Sequence, residues 1–65
     1  MNARDVITAL EADGWTEVAS KGSHRQFRHP TKKGRVTVAV HGGRDLDIRD
    51  IKSIEKQSGL TLRRR

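Results

Sequence analysis

All three histidines of this 65-residue chain lie in one basic stretch, residues 21–44. The stretch contains seven lysine and arginine residues and no aspartate or glutamate, so we expect it to attract a polyanion. A neutral imidazole can accept a proton near pH 7, and cations can stabilise negative charge on a phosphate group. RNA supplies its own nucleophile, the 2′-hydroxyl. A histidine beside such cations can therefore cleave RNA without a metal ion.

His24 is the candidate for that base. It follows Gly22 and Ser23, and a glycine lets the backbone turn sharply or approach a ligand closely. The spacing thus allows an exposed imidazole at the start of a strand, with Lys21 and Arg25 nearby in the sequence. On spacing alone, an ordinary surface histidine after a turn is the stronger alternative.

The other two histidines are weaker candidates for catalysis. His29 precedes Pro30, which favours an extended backbone before a turn, and we predict a packing role for it at the end of a hairpin. His41 is the alternative general acid or phosphate ligand, at the end of a strand. The histidines lack the i, i+4 spacing of a helical zinc site, and no carboxylate lies in the basic stretch. We therefore predict neither a metal site nor another cofactor.

Composition bounds the class of protein. Without cysteine the chain can form no disulfide, thiolate nucleophile or cysteine-based zinc site. No apolar run approaches the roughly 20 residues of a membrane span. Met1 is not followed by a signal-peptide pattern, so we expect a cytoplasmic protein. The length predicts one domain over residues 1–65, with residues 62–65 as a flexible tail.

The amino-terminal part predicts a helix over about residues 3–12. Its apolar residues follow the i, i+3, i+4, i+7 spacing of one helical face. Asn2 is the expected N-cap, because its side chain can accept a hydrogen bond from the first turn. Gly14 is the expected left-handed residue that follows the helix.

A second helix is predicted over about residues 48–58. Asp47 is its expected N-cap, and Asp50 is assigned to the same capping turn. Gly59 is the expected stop. The residues predicted to line its buried face are Ile48, Ile51, Ile54 and Ser58.

Between the helices the apolar residues recur with a period of two, which predicts three strands. The expected strands are residues 15–20, led by Trp15 and Val18, then 24–29 and 35–41, with a hairpin loop over 30–34. The chain is therefore expected to be an α+β protein of order α-β-β-β-α, with both helices on one face of a three-stranded antiparallel sheet. Alternation from Phe27 places His24, Arg28, Arg35 and His41 on the open face.

This order of elements matches the double-stranded RNA-binding domain, and several segments sharpen the comparison. They are Gly14-Trp15, Lys21-Gly22-Ser23-His24, Phe27-Arg28-His29-Pro30, Val36-Thr37-Val38, His41 and Ser58-Gly59-Leu60. Together they resemble the HicA toxin family along nearly the whole chain. The resemblance implies a double-stranded-RNA-binding-like fold, cleavage of mRNA and a HicB-like antitoxin that binds and blocks the toxin. It also implies that His24, in the Gly-Ser-His motif, is catalytic.

The sequence thus predicts a metal-independent mRNA endoribonuclease with His24 as general base. We expect it to be a monomer alone or a hetero-oligomer with the antitoxin, without a membrane partner. The candidate RNA-binding residues are Lys21, Gly22, Ser23, Arg25, Arg28, Lys32, Lys33, Arg35 and His41. The alternative is a non-catalytic double-stranded-RNA-binding module. A structural interaction protein would need only a partner surface and no RNA.

Overall fold

The structure is a computed structural model that describes residues 1–40, 42 and 45–62. Its first helix, α1, spans Ala3–Ala12. The Asn2 side chain accepts a 2.9 Å hydrogen bond from the Asp5 backbone N–H, so Asn2 is the N-cap. After the helix, Gly14 has a φ of +104°, a conformation that strains other residues. The predicted bounds and both end signals are confirmed.

The second helix, α2, spans Ile48–Ser58, as predicted. The Asp47 side chain accepts a hydrogen bond from the Arg49 N–H, and Gly59 ends the helix with a φ of +77°. Ile51 and Ile54 are buried, but Ile48 is 50% exposed and was wrongly assigned to the buried face. An α-helix has 3.6 residues per turn, so residues spaced three apart are offset around the helix axis. This offset adds up from Ile48 to Ile54, and Ile48 therefore lies outside the buried face that Ile54 occupies.

The three strands are β1 (Thr16–Lys21), β2 (His24–Arg28) and β3 (Val36–Ala39). They form one antiparallel sheet of order β1-β2-β3, as predicted. Trp15 is buried but precedes β1, so it does not lead that strand. Val18 is 53% exposed, because the pairing register shifts between Glu17 and Ala19 and leaves Val18 in a β-bulge.

Both helices and one face of the sheet share a single core. Its fully buried members include Val6 and Leu10 of α1 and Phe27, Val36 and Val38 of the sheet. Leu62 also belongs to the core, and its backbone N–H donates to the Glu55 side chain at 2.7 Å. The ordered core therefore extends into the segment that we assigned to a flexible tail. Among the described residues, neither helix has the length and apolar character needed to span a bilayer.

Candidate functional site

His24 is held at the start of β2 by a tight turn. Lys21 and His24 are paired across β1 and β2, so only Gly22 and Ser23 connect the two strands. Gly22 has a φ of +60°, whereas Ser23 has a negative φ, the combination found in a type II′ hairpin turn. The turn therefore presents Lys21 and His24 side by side on one face of the sheet.

The strand register defines which side chains share that face. His24 pairs with Lys21 of β1 on one side and with Ala39 of β3 on the other. Two residues further along β2, Gln26 pairs in the same way with Ala19 and Thr37. Phe27 and Val36, in the alternate rows, point into the core. Paired residues of an antiparallel sheet lie on the same face. The open face therefore carries His24, as the alternation predicts.

Two arginines join His24 and Lys21 on the open face. The Arg35 guanidinium donates a 2.7 Å hydrogen bond to the Gln26 side-chain oxygen, which draws Arg35 over the sheet. Arg28 pairs with Thr16 and alternates with Phe27, so its side chain projects to the same face. All three cations are exposed. A phosphate group on this face would thus meet positive charge from both hairpins.

The imidazole of His24 borders an open groove of about 210 Å³ between the sheet and α2. The other lining residues are Thr37, Ala39, Asp50, Ser53 and Ile54. His24 is exposed, and within the described part of the chain its ring makes no hydrogen bond or ion pair. A ring nitrogen is therefore available to accept a proton from a bound ligand.

Helix α2 flanks the edge of β3. The backbone N–H of Thr37 donates to the Gln57 side-chain oxygen at 3.4 Å. Asp50, Ser53 and Gln57 follow helical spacing along one side of α2 and border the open face. We had assigned Asp50 only to the capping turn, and Ser53 had no predicted role. Their spacing was visible in the sequence, but the position of α2 relative to β3 was not.

Two predicted RNA-binding residues do not join this face. Arg25 alternates with His24 and lies on the helix-bearing side, where its guanidinium is 3.8 Å from the Glu17 carboxylate. Lys32 donates to the Asp13 carboxylate at 2.6 Å and to the Ser58 backbone oxygen at 3.1 Å. Both cations already have partners, so the cationic face next to His24 is smaller than the sequence predicts.

The remaining candidates have different positions. Gly22 and Ser23 form the turn beside His24, and Lys33 is exposed in the loop between β2 and β3. His41 lies outside the described residues. Among the residues that the structure describes, no group of three or more histidine, aspartate or glutamate side chains is arranged to hold a metal ion.

His29 organises the opposite end of β2. Its Nδ1 accepts hydrogen bonds from the backbone N–H groups of Thr31 and Lys32, both at 3.1 Å. Because Nδ1 is the acceptor, the ring proton is on Nε2, which donates to the Asp13 backbone oxygen at 2.6 Å. The ring also packs edge-on against Trp15, with centroids 5.2 Å apart. The predicted packing role at the hairpin end is confirmed.

We call Asp13, Trp15, His29 and Lys32 the hairpin clamp. The Asp13 carboxylate accepts hydrogen bonds from Lys32 Nζ and from Trp15 Nε1. The clamp therefore ties the loop after β2 to the end of α1, and Lys32 extends the tie to the end of α2 at Ser58. Sequence reasoning missed this cluster, since it joins two segments, residues 13–15 and 29–32, that lie far apart in the chain.

The hairpin clamp predicts acid-sensitive stability. The hydrogen bond from Lys32 is the main cause that lowers the Asp13 pKa below 3.8, and partial desolvation opposes it. A carboxyl group with a lowered folded-state pKa stabilises the protein above its unfolded pKa, and the contribution is lost as pH falls through the folded value. We expect Asp13→Asn to lower the urea midpoint near neutral pH, and the difference from the parent to shrink below about pH 4.

Urea unfolding of both proteins between about pH 3 and pH 7 measures this effect. Asp5→Asn removes the same charge from an exposed position in α1 and serves as the control. A difference between the parent and Asp13→Asn that stays constant over the whole range would contradict the prediction.

Comparisons with known proteins identify the chain at the level of family. A search of curated proteins found no match. The family model described as the HicA toxin of bacterial toxin–antitoxin pairs matches residues 3–60, which include both helices, all three strands and His24. This match covers most of the 65 residues, and the chain therefore belongs to the HicA toxin family.

Proposed function

We propose that this HicA toxin is a metal-independent endoribonuclease that cleaves mRNA, with His24 as the general base. The observation that carries the proposal is the unbonded imidazole of His24 on an open face that also bears Lys21. Family membership implies a toxin with an antitoxin partner. The position of His24 supports the more specific assignment as an endoribonuclease, because a neutral imidazole there can reach an RNA bound on the open face of the sheet.

The proposed reaction is an attack of RNA on itself. His24 accepts the proton of a 2′-hydroxyl, and the 2′-oxygen forms a bond to the adjacent phosphorus. The bond from phosphorus to the 5′-oxygen of the next nucleotide breaks, that oxygen takes up a proton from water, and His24 later returns its proton to the solvent. The products are a 2′,3′-cyclic phosphate and a 5′-hydroxyl end.

Cations on the open face stabilise the charge that develops on the phosphate. Lys21 is the cation nearest to His24 in the strand register, because the two residues are cross-strand partners. Arg28 and Arg35 extend the positive face along the sheet and hold the flanking phosphates. We leave Arg25 and Lys32 out of the proposed site because each is engaged by a carboxylate elsewhere.

The proposed partner is a HicB-like antitoxin that covers the open face and brings acidic residues to it. The net charge of +6 favours such a partner and would also attract mRNA in the cytoplasm. An antitoxin on this face would block access to His24 and to the cations at the same time. The active toxin is then the free chain, and the inhibited form is a hetero-oligomer.

The test uses the partner-free chain and a single-stranded RNA in the presence of EDTA. We expect cleavage that EDTA leaves unchanged, with cyclic phosphate and 5′-hydroxyl ends. The matched control is an RNA of the same sequence with 2′-O-methyl groups, which has no nucleophile and is expected to remain intact. Cleavage of the methylated RNA would overturn the mechanism. RNA binding without cleavage would favour the double-stranded-RNA-binding module instead.

A further inference from the structure

The groove between the sheet and α2 combines an apolar floor with a polar rim. The half-buried Ala39 provides most of this apolar surface, and Ile54, which is 2% exposed, adds only a small area. Polar side chains from both elements surround it: His24, Thr37, Asp50 and Ser53. A planar ring that lies on the floor would therefore present its edge to hydrogen-bonding groups. This is how proteins hold the splayed bases of single-stranded RNA.

Size limits the occupant of the groove. Its volume of about 210 Å³ is below the range of about 300–1,000 Å³ that encloses a drug-sized ligand. A single base fits this space better than a whole nucleotide, whose sugar and phosphate would remain on the open face. The phosphate would then lie among Lys21 and the neighbouring arginines, next to His24.

Asp50 differs in charge from the rest of the groove lining. It is the acidic member of the groove lining, on a face that otherwise carries cations. Within the described residues, no hydrogen bond or ion pair engages its carboxylate. A carboxylate would repel a phosphate, but it binds well to a pair of N–H donors. Guanine presents such a pair, N1–H and the N2 amino group, on its Watson–Crick edge.

We propose that the groove between β3 and α2 is a base-binding subsite in which Asp50 recognises guanine next to the cleaved phosphate. The proposal rests on the proposed ribonuclease function for its link to cleavage. Ser53 and Thr37 lie on the same rim and offer hydroxyl groups to the remaining polar atoms of the base. Adenine, cytosine and uracil do not present this pair of donors on their Watson–Crick edges, so the carboxylate would bind them less well than guanine.

One experiment maps cleavage on a single-stranded RNA of mixed sequence. We expect guanine to be enriched about tenfold at one position that flanks the cuts of the parent protein. Asp50→Asn should lose this enrichment, because an amide cannot accept two hydrogen bonds from guanine as a carboxylate does. Asp5→Asn is the matched control, since it removes the same charge from the first turn of the other helix, and it should keep the enrichment.

A second measurement does not depend on cleavage. The His24→Ala protein is titrated with short RNAs that contain guanosine or inosine at one position, and binding is followed by fluorescence anisotropy. Inosine lacks the N2 amino group, so we expect about tenfold weaker binding, and no difference once Asp50→Asn is added.

The outcomes separate the two proposals. A guanine preference in binding without cleavage by the parent would support the subsite and overturn the ribonuclease function. Cleavage without a base preference would support the ribonuclease function and overturn the subsite. If Asp50→Asn slows cleavage equally at every site, Asp50 acts through His24 or the fold, and the subsite is wrong.

Discussion

Replacing His24 with alanine is expected to slow RNA cleavage by about 10²–10⁴-fold, the usual contribution of a general base. The fold should not change, because the side chain is exposed and makes no hydrogen bond to the described residues. Affinity for RNA should also persist, since Lys21, Arg28 and Arg35 still face the phosphates. The measurement compares single-turnover cleavage by the two proteins in EDTA at equal concentration, beside a salt titration of RNA binding.

His41→Ala tests the competing assignment in the same experiment, because His41 is the alternative general acid or phosphate ligand in the basic stretch. Loss of cleavage in His41→Ala with full activity in His24→Ala would transfer the catalytic role and contradict our assignment. Equal cleavage by both variants and the parent would point to a contaminating nuclease. A pH–rate profile of the parent adds a further check, because a general base must be deprotonated to act.

His29→Ala is expected to destabilise the protein by about 3 kcal/mol, the largest effect on stability that we predict. The ring accepts from two backbone N–H groups, donates to Asp13 and packs against Trp15. The pair of hydrogen bonds that share Nδ1, the hydrogen bond to Asp13 and the aromatic contact contribute about 1 kcal/mol each. A chain of this length has a total stability of roughly 3–10 kcal/mol, so the expected loss is a large fraction of that total.

Thermal and urea unfolding measure this loss, and the expected fall in Tm is roughly 12–24 °C. His29→Asn provides the matched variant. Its side-chain oxygen can accept from the N–H groups of Thr31 and Lys32, as in an Asx turn, but it cannot reproduce the contacts with Asp13 and Trp15. We expect it to lose about half as much stability. Equal stability of the parent and His29→Ala would show that the hairpin clamp contributes little.

The elements of the fold could be predicted because each carries a local signal. Asn2 and Gly14 bound α1, Asp47 and Gly59 bound α2, and the structure has both helices as expected. Caps depend on interactions within a few residues, so the sequence expresses them directly. The bulge at Val18 has no such signal, since it depends on how β1 pairs with β2. The exposure of the Val18 side chain therefore differs from the prediction.

The candidate site was predictable to the extent that strand alternation determines it. Because β2 and β3 keep a regular register, His24 and the arginines of the open face could be placed from the period of two alone. The role of Lys32 could not, since its partners Asp13 and Ser58 lie 19 and 26 residues away in the sequence. Asp50 could not either, because its neighbours depend on where α2 packs against β3.

The β-bulge in β1 has a consequence for the solubility of the free toxin. Of the two edges of the sheet, β3 is covered by α2, whereas all six residues of β1 are exposed. An uncovered edge strand can pair with the same strand of another molecule and start aggregation. The irregular backbone at Val18 breaks the row of hydrogen-bonding groups, and the same strand carries the charged residues Glu17 and Lys21. We therefore expect this edge to resist self-association when no antitoxin is bound.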